Sequence, residues 1–132
     1  MNRWMIVPAI ALIGGTATAA MQSSTAARAD RALENELKDR TPGTPVNCIS
    51  ASSSTSGPQI IDNNTVLYRE GRTVWRSELA AECRSLEPGN TMVVEINGGQ
   101  ICQNDRFRVI EPGMSIPSQY CRFGKFTPYR KK

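Results

Sequence analysis

Short runs that alternate between apolar and polar residues fill the middle of the chain, and turn-forming residues separate them. The alternation has the period of two that is typical of a β-strand with one buried face. Clusters such as Asp62-Asn63-Asn64 and Pro112-Gly113 interrupt it at short intervals. We therefore predict a mainly β domain, built as a small barrel or sandwich. The predicted strands are 46–50, 65–69, 72–76, 91–96, 101–102, 106–110 and 120–126.

The strands 65–69 and 72–76 are predicted to form a hairpin about a turn at Glu70-Gly71. Pairing about that turn puts Tyr68 opposite Thr73. One face of the hairpin then carries Val66, Tyr68 and Trp75, and the other carries Leu67 and Val74. Because both faces are apolar, the pattern favours a small barrel over a sheet with one wet face.

Helical spacing is confined to two short segments. Ser77 is predicted to cap a helical turn over 78–83. Residues 23–40 form the second segment, with Ala29, Leu33 and Leu37 on one face. That apolar stripe is thin, and such a helix is marginal alone. Residues 20–45 are therefore predicted to be a helical or disordered tether.

The first residues have the features of an export signal. Arg3 precedes a run of twelve mostly apolar residues, and Ala17-Thr18-Ala19 provides the small residues that a signal peptidase recognises. The run is shorter than the roughly 20 residues of a membrane span. We predict a signal peptide over 1–19, cleaved after Ala19 or Ala20, and no stable membrane span once it is removed.

Charge is unevenly distributed between the predicted domain, 46–128, and the chain end. Residues 41–121 carry six basic and eight acidic residues. The last eleven residues carry five basic residues and no acid. Residues 129–132 are predicted to be a frayed basic tail. Arg122, Lys125 and Arg130 are the candidate contacts for an anion or other ligand, because Phe123, Phe126 and Tyr129 interleave with them. The first two of those rings are expected to face the core.

Four cysteines, Cys48, Cys83, Cys102 and Cys121, follow the signal. An even number of cysteines in an exported chain favours disulfides. Their wide spacing does not match the close pairs of a structural zinc site. Three pairings are open. We favour Cys48–Cys121 with Cys83–Cys102, and the next alternative is Cys48–Cys83 with Cys102–Cys121.

Histidine is absent, so the commonest general base and metal ligand is missing. The acids Asp62, Glu95, Asp105 and Glu111 lie in or beside predicted strands, without the spacing of a calcium loop. Asp62 is expected to organise its turn by accepting backbone hydrogen bonds. Asp105 is expected either to do the same or to pair with Arg106 or Arg108 across the sheet. We predict no catalytic residue, no metal ligand, no cofactor and no nucleic-acid partner.

One set of residues carries a family resemblance. It consists of Cys48-Ile49, Ile61-Asp62, Thr65-Val66-Leu67-Tyr68, Gly71-Arg72-Thr73-Val74-Trp75, Cys83, Leu86, Cys102, Asp105, Phe107, Val109, Cys121, Gly124 and Phe126. In this pattern the stretch from Cys48 to Tyr129 resembles a family of small secreted proteobacterial proteins, a domain of unknown function with four cysteines. The chain departs from it at Arg84-Ser85, where a Pro-Gly pair is expected. The resemblance implies a secreted domain and no particular activity.

These features together predict an exported, periplasmic or secreted protein. Its expected function is that of a non-catalytic binding or interaction module of the cell envelope, with an envelope protein or another ligand as partner. Two alternatives stay open. One is an inhibitor of an envelope-targeting hydrolase, for which the loop 84–90 is the best candidate, and the other is an enzyme that uses carboxylates alone.

Overall fold

The computed structural model describes residues 17–132, with side chains from residue 24 onward. One helix precedes ten strands. They are α1 (Ala17–Leu37), β1 (Arg40–Pro42), β2 (Cys48–Ser50), β3 (Thr55–Ile60), β4 (Thr65–Glu70), β5 (Thr73–Glu78), β6 (Thr91–Val94), β7 (Gln100–Cys102), β8 (Arg106–Ile110), β9 (Cys121–Arg122) and β10 (Phe126–Lys131). Most of the predicted signal peptide, residues 1–16, lies outside the described residues.

The strands form three antiparallel sheets, and the prediction of a mainly β fold is confirmed. The largest sheet has the order β1-β10-β5-β4-β3, and the smaller ones are β2-β7 and β6-β8-β9. Within residues 17–132 these sheets do not close into a barrel, and the arrangement is that of a sandwich. No helix in this range is both long and apolar enough to cross a membrane.

The β4–β5 hairpin has the predicted faces but a different register. Tyr68 pairs with Trp75, and Glu70 pairs with Thr73. The turn is therefore Gly71-Arg72 and not Glu70-Gly71, with Gly71 at a φ of 58°. Because the register moves by two residues, every side chain keeps the face that the sequence predicts for it.

Each face of the large sheet packs against its own apolar cluster. Val66 and Tyr68 join Phe107, Phe123 and Phe126 in the main core. The burial of these phenylalanines confirms the prediction that Phe123 and Phe126 face inward. On the opposite face, a second cluster consists of Ile61, Leu67 and Val74, packed against Ala29, Ala32, Leu33, Leu37 and Tyr129. The apolar second face is thus explained by a helix that covers it and not by barrel closure.

α1 packs against the sheet, whereas the sequence predicts a tether over 20–45. Leu33 and Leu37 are half-buried against the second cluster. Glu36 pairs with Arg69 of β4 and accepts a hydrogen bond from Gln59 Nε2 at 3.1 Å. The helix ends where Asp39 adopts a positive φ of 58°, and β1 follows directly.

The chain end also differs from the predicted basic tail over 129–132. β10 continues to Lys131 and lies between β1 and β5. Arg130 pairs with Thr41 on one side and Thr73 on the other, and Lys131 pairs with Arg40. These backbone pairs place Arg130 and Lys131 in the sheet, while their side chains stay exposed.

Two local predictions are wrong. Residues 78–83 form no helical turn, because β5 continues through Glu78 and the following residues run irregularly toward Cys83. The predicted closing strand, 120–126, is split into β9 and β10 by Gly124. A Cβ at Gly124 would collide with the carbonyl oxygen of Glu78. Gly124 thus lies where the chain leaves β9 and passes against the end of β5.

The disulfides are Cys48–Cys102 and Cys83–Cys121. Both pairings considered from the sequence are therefore wrong. β2 pairs with β7 so that Cys48 stands directly opposite Cys102, with a Cα–Cα distance of 4.0 Å. Cys83, which is buried in the main core, is left to bond Cys121 at the start of β9.

Candidate functional site

The outer face of the β6-β8-β9 sheet carries an unusual set of side chains. Along β8, Phe107 and Val109 are buried in the main core, so Arg106 and Arg108 must point the other way. Arg106 pairs with Arg122 of β9, and Arg108 pairs with Val93 of β6. Residues that stand opposite each other in a ladder share a face. Three guanidinium groups and a valine therefore share the outer face.

Tyr120 joins two of these guanidinium groups. The Cζ atoms of Arg106 and Arg108 lie 4.5 Å and 4.3 Å from the centroid of the Tyr120 ring. Both distances are within the range of a cation–π interaction. The Tyr120 hydroxyl donates to Glu95 Oε1 at 3.1 Å, so the ring is held at both ends. The arrangement fixes an aromatic ring and two cations on an accessible surface.

The two stacked arginines differ in their polar partners. Arg106 Nη2 lies 3.1 Å from Glu95 Oε2 and forms an ion pair with it. Within residues 24–132, Arg108 has no ion pair with a carboxylate, and its Nε is buried without a hydrogen-bond partner. A guanidinium is a rigid fork of donors that suits a carboxylate or phosphate. Arg108 is thus oriented and charged but not neutralised by the chain itself.

Exposed apolar side chains are concentrated in the same part of the chain. Six large apolar or aromatic residues are exposed in the described chain, and five of them lie between residues 93 and 120. They are Val93, Ile96, Met114, Ile116 and Tyr120. Ile116 is 78% exposed, although isoleucine is among the residues most often buried. We call the surface formed by Val93, Arg106, Arg108, Tyr120, Arg122, Met114 and Ile116 the arginine–tyrosine face.

The three candidate contacts predicted from the sequence have three separate sets of neighbours. Arg122 lies on the arginine–tyrosine face and donates to the carbonyl oxygen of Asn104 at 2.9 Å. Lys125 follows β9 and borders a cavity of about 260 Å³. Arg130 belongs to β10, where its Nε donates to Thr73 Oγ1 at 3.4 Å.

Cavities border the large sheet at two places, and each of these two is lined by a single acid. One, of about 530 Å³, is lined by Asp39, Arg40, Thr41, Lys131 and Lys132. The other is lined by Pro45, Arg76, Glu78, Lys125, Thr127 and Tyr129. Among residues 24–132, no three His, Cys, Asp or Glu side chains are grouped as a metal site would require. The proposal of an enzyme that uses carboxylates alone gains no site from these cavities.

The acids predicted to organise turns have that role. Asp62 Oδ1 accepts a hydrogen bond from the backbone N–H of Asn64 at 2.8 Å. Asp105 Oδ2 accepts one from the N–H of Cys102 at 2.7 Å. Both predictions are confirmed. Glu111 stands in an exposed turn, and Glu95 belongs to the Arg106–Tyr120 contacts described above.

Sequence reasoning missed Arg106, Arg108 and Tyr120 as a group. The alternation of Arg106 to Ile110 indicates that the two arginines share an outer face, and this signal was available. The position of Tyr120 was not, because an irregular segment separates it from β8. Hydrogen bonds between Ser118 and Val109 fold that segment back along β8: the Ser118 N–H donates to the Val109 carbonyl, and the Val109 N–H to Ser118 Oγ.

Comparisons with known proteins identify no relative of this chain. No family model, no curated protein and no solved structure matches the chain. The resemblance to a four-cysteine secreted family therefore stays a prediction, and the function has to be argued from the arginine–tyrosine face itself.

Proposed function

We propose that this chain is an exported, non-catalytic interaction module of the cell envelope, and that the arginine–tyrosine face binds an acidic segment of a protein partner. The observation that carries the proposal is Arg108, a stacked guanidinium without a carboxylate partner, which lies beside the exposed Val93 and Tyr120. The proposal places the protein in the periplasm or outside the cell, since two disulfides are typical of oxidising compartments.

The composition of the face favours a protein as the partner. Arginine, tyrosine and methionine are enriched in protein–protein interfaces, and tyrosine and arginine provide most hot spots. Val93 adds apolar area beside Arg108, and Met114 and Ile116 are exposed in the segment that folds back along β8. The face carries three arginines, of which only Arg106 is paired with a carboxylate, that of Glu95, so its charge complements an acidic segment.

The test is a position-specific photocrosslink in the cells that make the protein. A photoreactive residue at Ile116, on the face, is expected to capture a protein partner. The same residue at Arg72, in the exposed β4–β5 turn, is the matched control and is expected to capture none. Mapping the crosslink should find an acidic segment of the partner, and raised salt should weaken the capture.

A charge reversal completes the test. Arg108→Glu is expected to abolish the Ile116 crosslink, whereas Arg84→Glu, an exposed arginine in another loop, should leave it intact. Melting curves of both variants check that the fold is retained. Equal capture by Arg108→Glu and the wild-type protein, or a crosslink in a basic or uncharged segment, would contradict the proposal.

A second candidate function is inhibition of an envelope-targeting hydrolase by the loop 84–90. One observation favours it. The loop is anchored by the Cys83–Cys121 disulfide and by the fully buried Leu86, while Arg84, Glu87 and Pro88 stay exposed. An anchored, exposed loop loses little entropy when it enters an active site. If the loop inhibits, Arg84→Ala should weaken inhibition of an envelope hydrolase while Arg108→Glu should not.

A further inference from the structure

β6 is an edge strand whose outer backbone groups are unpaired. The N–H of Glu95 donates to the carbonyl of Arg106 at 3.2 Å, which fixes the alternation along the β6–β8 ladder. Since Glu95 and Val93 direct their backbone groups toward β8, Met92 and Val94 direct theirs away from it. Within residues 17–132 those groups have no backbone partner.

The other sheet edges in the described chain are blunted. Proteins protect such edges with proline, charge, irregular register or short length. β1 has three residues and ends in Pro42, and β3 carries Pro58 and a register shift. β2, β7 and β9 have only two or three residues each. β6, with the sequence Thr-Met-Val-Val, has neither a proline nor a charge.

We propose that β6 pairs with β6 of a second copy of this chain, in antiparallel orientation, to make a two-fold dimer. Because Met92 and Val94 present the free groups, they must form the hydrogen-bonded pairs. In the proposed register Met92 faces Val94 of the second copy, and Val93 faces its own counterpart. The two three-stranded sheets then join into one.

Local geometry and charge select this register from its neighbours. The extended segment lies between turns at Asn90 and Asn97, so a two-fold axis near its midpoint passes through Val93 or Val94. In this register Glu95 faces Thr91 of the second copy, whose hydroxyl can donate to the carboxylate. A shift by one pair in either direction puts Glu95 opposite Val93 or Gly89 of the second copy. Neither residue has a side chain that can donate a hydrogen bond to the carboxylate. Like charges directly opposite, which destabilise a ladder, do not occur.

The pairing also covers apolar side chains that are exposed in the single chain. Val93 is 45% exposed and Ile96 is 52% exposed. Two valines that face each other in a non-hydrogen-bonded pair approach to about 4.5 Å between their Cα atoms, the closest spacing in an antiparallel ladder. A segment of this length covers less area than a standard stable interface, which is about 1,600 Å². The dimer is therefore weak and depends on concentration.

Sedimentation of the purified protein from micromolar to millimolar concentration tests the proposal. The wild-type protein is expected to shift from the monomer to twice its mass. Val93→Lys should stay monomeric, because two lysines would meet across the two-fold axis. Ile116→Lys is the matched control. It adds the same charge at a more exposed apolar residue outside β6, and should still dimerise. A wild-type protein that is monomeric throughout, or Val93→Lys dimerising like the control, would overturn the proposal.

A cysteine at position 93 tests the register. Val93→Cys is expected to form a symmetric crosslinked dimer under mild oxidation, since directly opposed residues have the spacing of a disulfide. Thr91→Cys, which faces Glu95 of the second copy, should not crosslink to itself. If Thr91→Cys crosslinks to itself and Val93→Cys does not, the proposed register is wrong. Arg108→Glu should still dimerise, so failure of this proposal is distinguishable from failure of the arginine–tyrosine face.

Discussion

Gly124 and Ser77 show how closely two segments of backbone approach in the core. Ser77 is fully buried, and its Oγ donates to the carbonyl oxygen of Gly124 at 3.2 Å. At Gly124 a side chain of any size would meet the carbonyl of Glu78. The glycine is therefore required by space, and the bond from Ser77 holds the chain where β9 leads into β10.

Gly124→Ala is expected to lower the free energy of unfolding by about 1–3 kcal/mol or more, because the added methyl group must push two backbone segments apart. Chemical denaturation measures the loss. Lys125→Ala, at the exposed neighbouring residue, is the control and should change stability little. A Gly124→Ala variant as stable as the control would show that the segments can separate at no cost.

Tyr68 makes the stability of the fold sensitive to alkali. Its side chain is buried among Phe123 and Phe126, and burial raises the pKa of its phenol above the ordinary value of about 10. The unfolded chain releases the proton at a lower pH than the folded chain. The resulting stability is fully present below about pH 10 and is lost as the pH rises toward the raised pKa.

Tyr68→Phe removes the titrating group and should flatten the alkaline decline in unfolding free energy. Denaturation curves at neutral pH and at a series of pH values above 10 provide the measurement. Tyr120→Phe, at an exposed side chain, is the control and should keep the wild-type decline. If Tyr68→Phe declines as steeply as the wild type, another group causes the loss.

At the scale of whole elements, α1 and β10 are structural parts of the domain. The helix covers one face of the large sheet, and β10 is a central strand of it. Each would be expendable if it were the tether or the frayed tail that composition suggests. Their contacts imply that both contribute to stability.

Leu33→Ala is expected to lower the unfolding free energy by about 1–2 kcal/mol, less than at a fully buried site because Leu33 is half-buried. Glu34→Ala, one residue on and exposed, is the control and should have almost no effect. Thermal melting compares the two. Equal melting temperatures would mean that the helix detaches without consequence.

Removal of residues 130–132 should lower the unfolding free energy by about 1–2 kcal/mol, because it breaks the ladder pairs of Arg130 and Lys131 with β1. Removal of Lys132 alone is the control, since that residue lies beyond β10. Denaturation of both truncated proteins measures the difference. Full stability of the longer truncation would restore the prediction of a frayed tail.

Most strands, the inward phenylalanines and the hairpin faces could be predicted, because each depends on alternation over a few residues. The strands β1, β3 and β10 were not predicted, since they lie in or beside segments rich in serine, proline or basic residues. The register of the β4–β5 hairpin could not, since Gly71 permits turns on either side of it. The docking of α1 could not be inferred from its thin apolar stripe, because the complementary cluster of Ile61, Leu67 and Val74 comes from other elements. Of the residues on the arginine–tyrosine face, only Arg122 was predicted to be a contact. The stacking of Arg106 and Arg108 on Tyr120 could not be predicted, since it depends on how residues 111–120 fold back.

At the scale of the whole molecule, the two disulfides make different kinds of link. Cys48–Cys102 lies within the β2-β7 sheet, and Cys83–Cys121 joins the loop after β5 to β9. The bonds span 54 and 38 residues. Loop-closure entropy depends on the logarithm of that length, so this contribution should differ by only about 0.3 kcal/mol between the two bonds.

Each disulfide replaced by two alanines should cost about 2–4 kcal/mol of unfolding free energy. The loss should be greater for Cys83 with Cys121, because Cys83 is 2% exposed and belongs to the main core. Denaturation of the two double variants compares them. An equal loss, or a greater loss for Cys48 with Cys102, would mean that the core around Cys83 adds nothing beyond the bond.

The two bonds overlap along the sequence, since the second begins at Cys83, inside the loop closed by Cys48–Cys102. A chain made from its N-terminus presents Cys48 and Cys83 before either native partner has emerged. An enzyme that oxidises thiols in order of appearance would join these two, and this bond is absent from the fold. Maturation then needs a thiolate to attack the wrong bond and release it. With oxidation in that order, the yield of native protein would depend on disulfide isomerisation and not on oxidation alone.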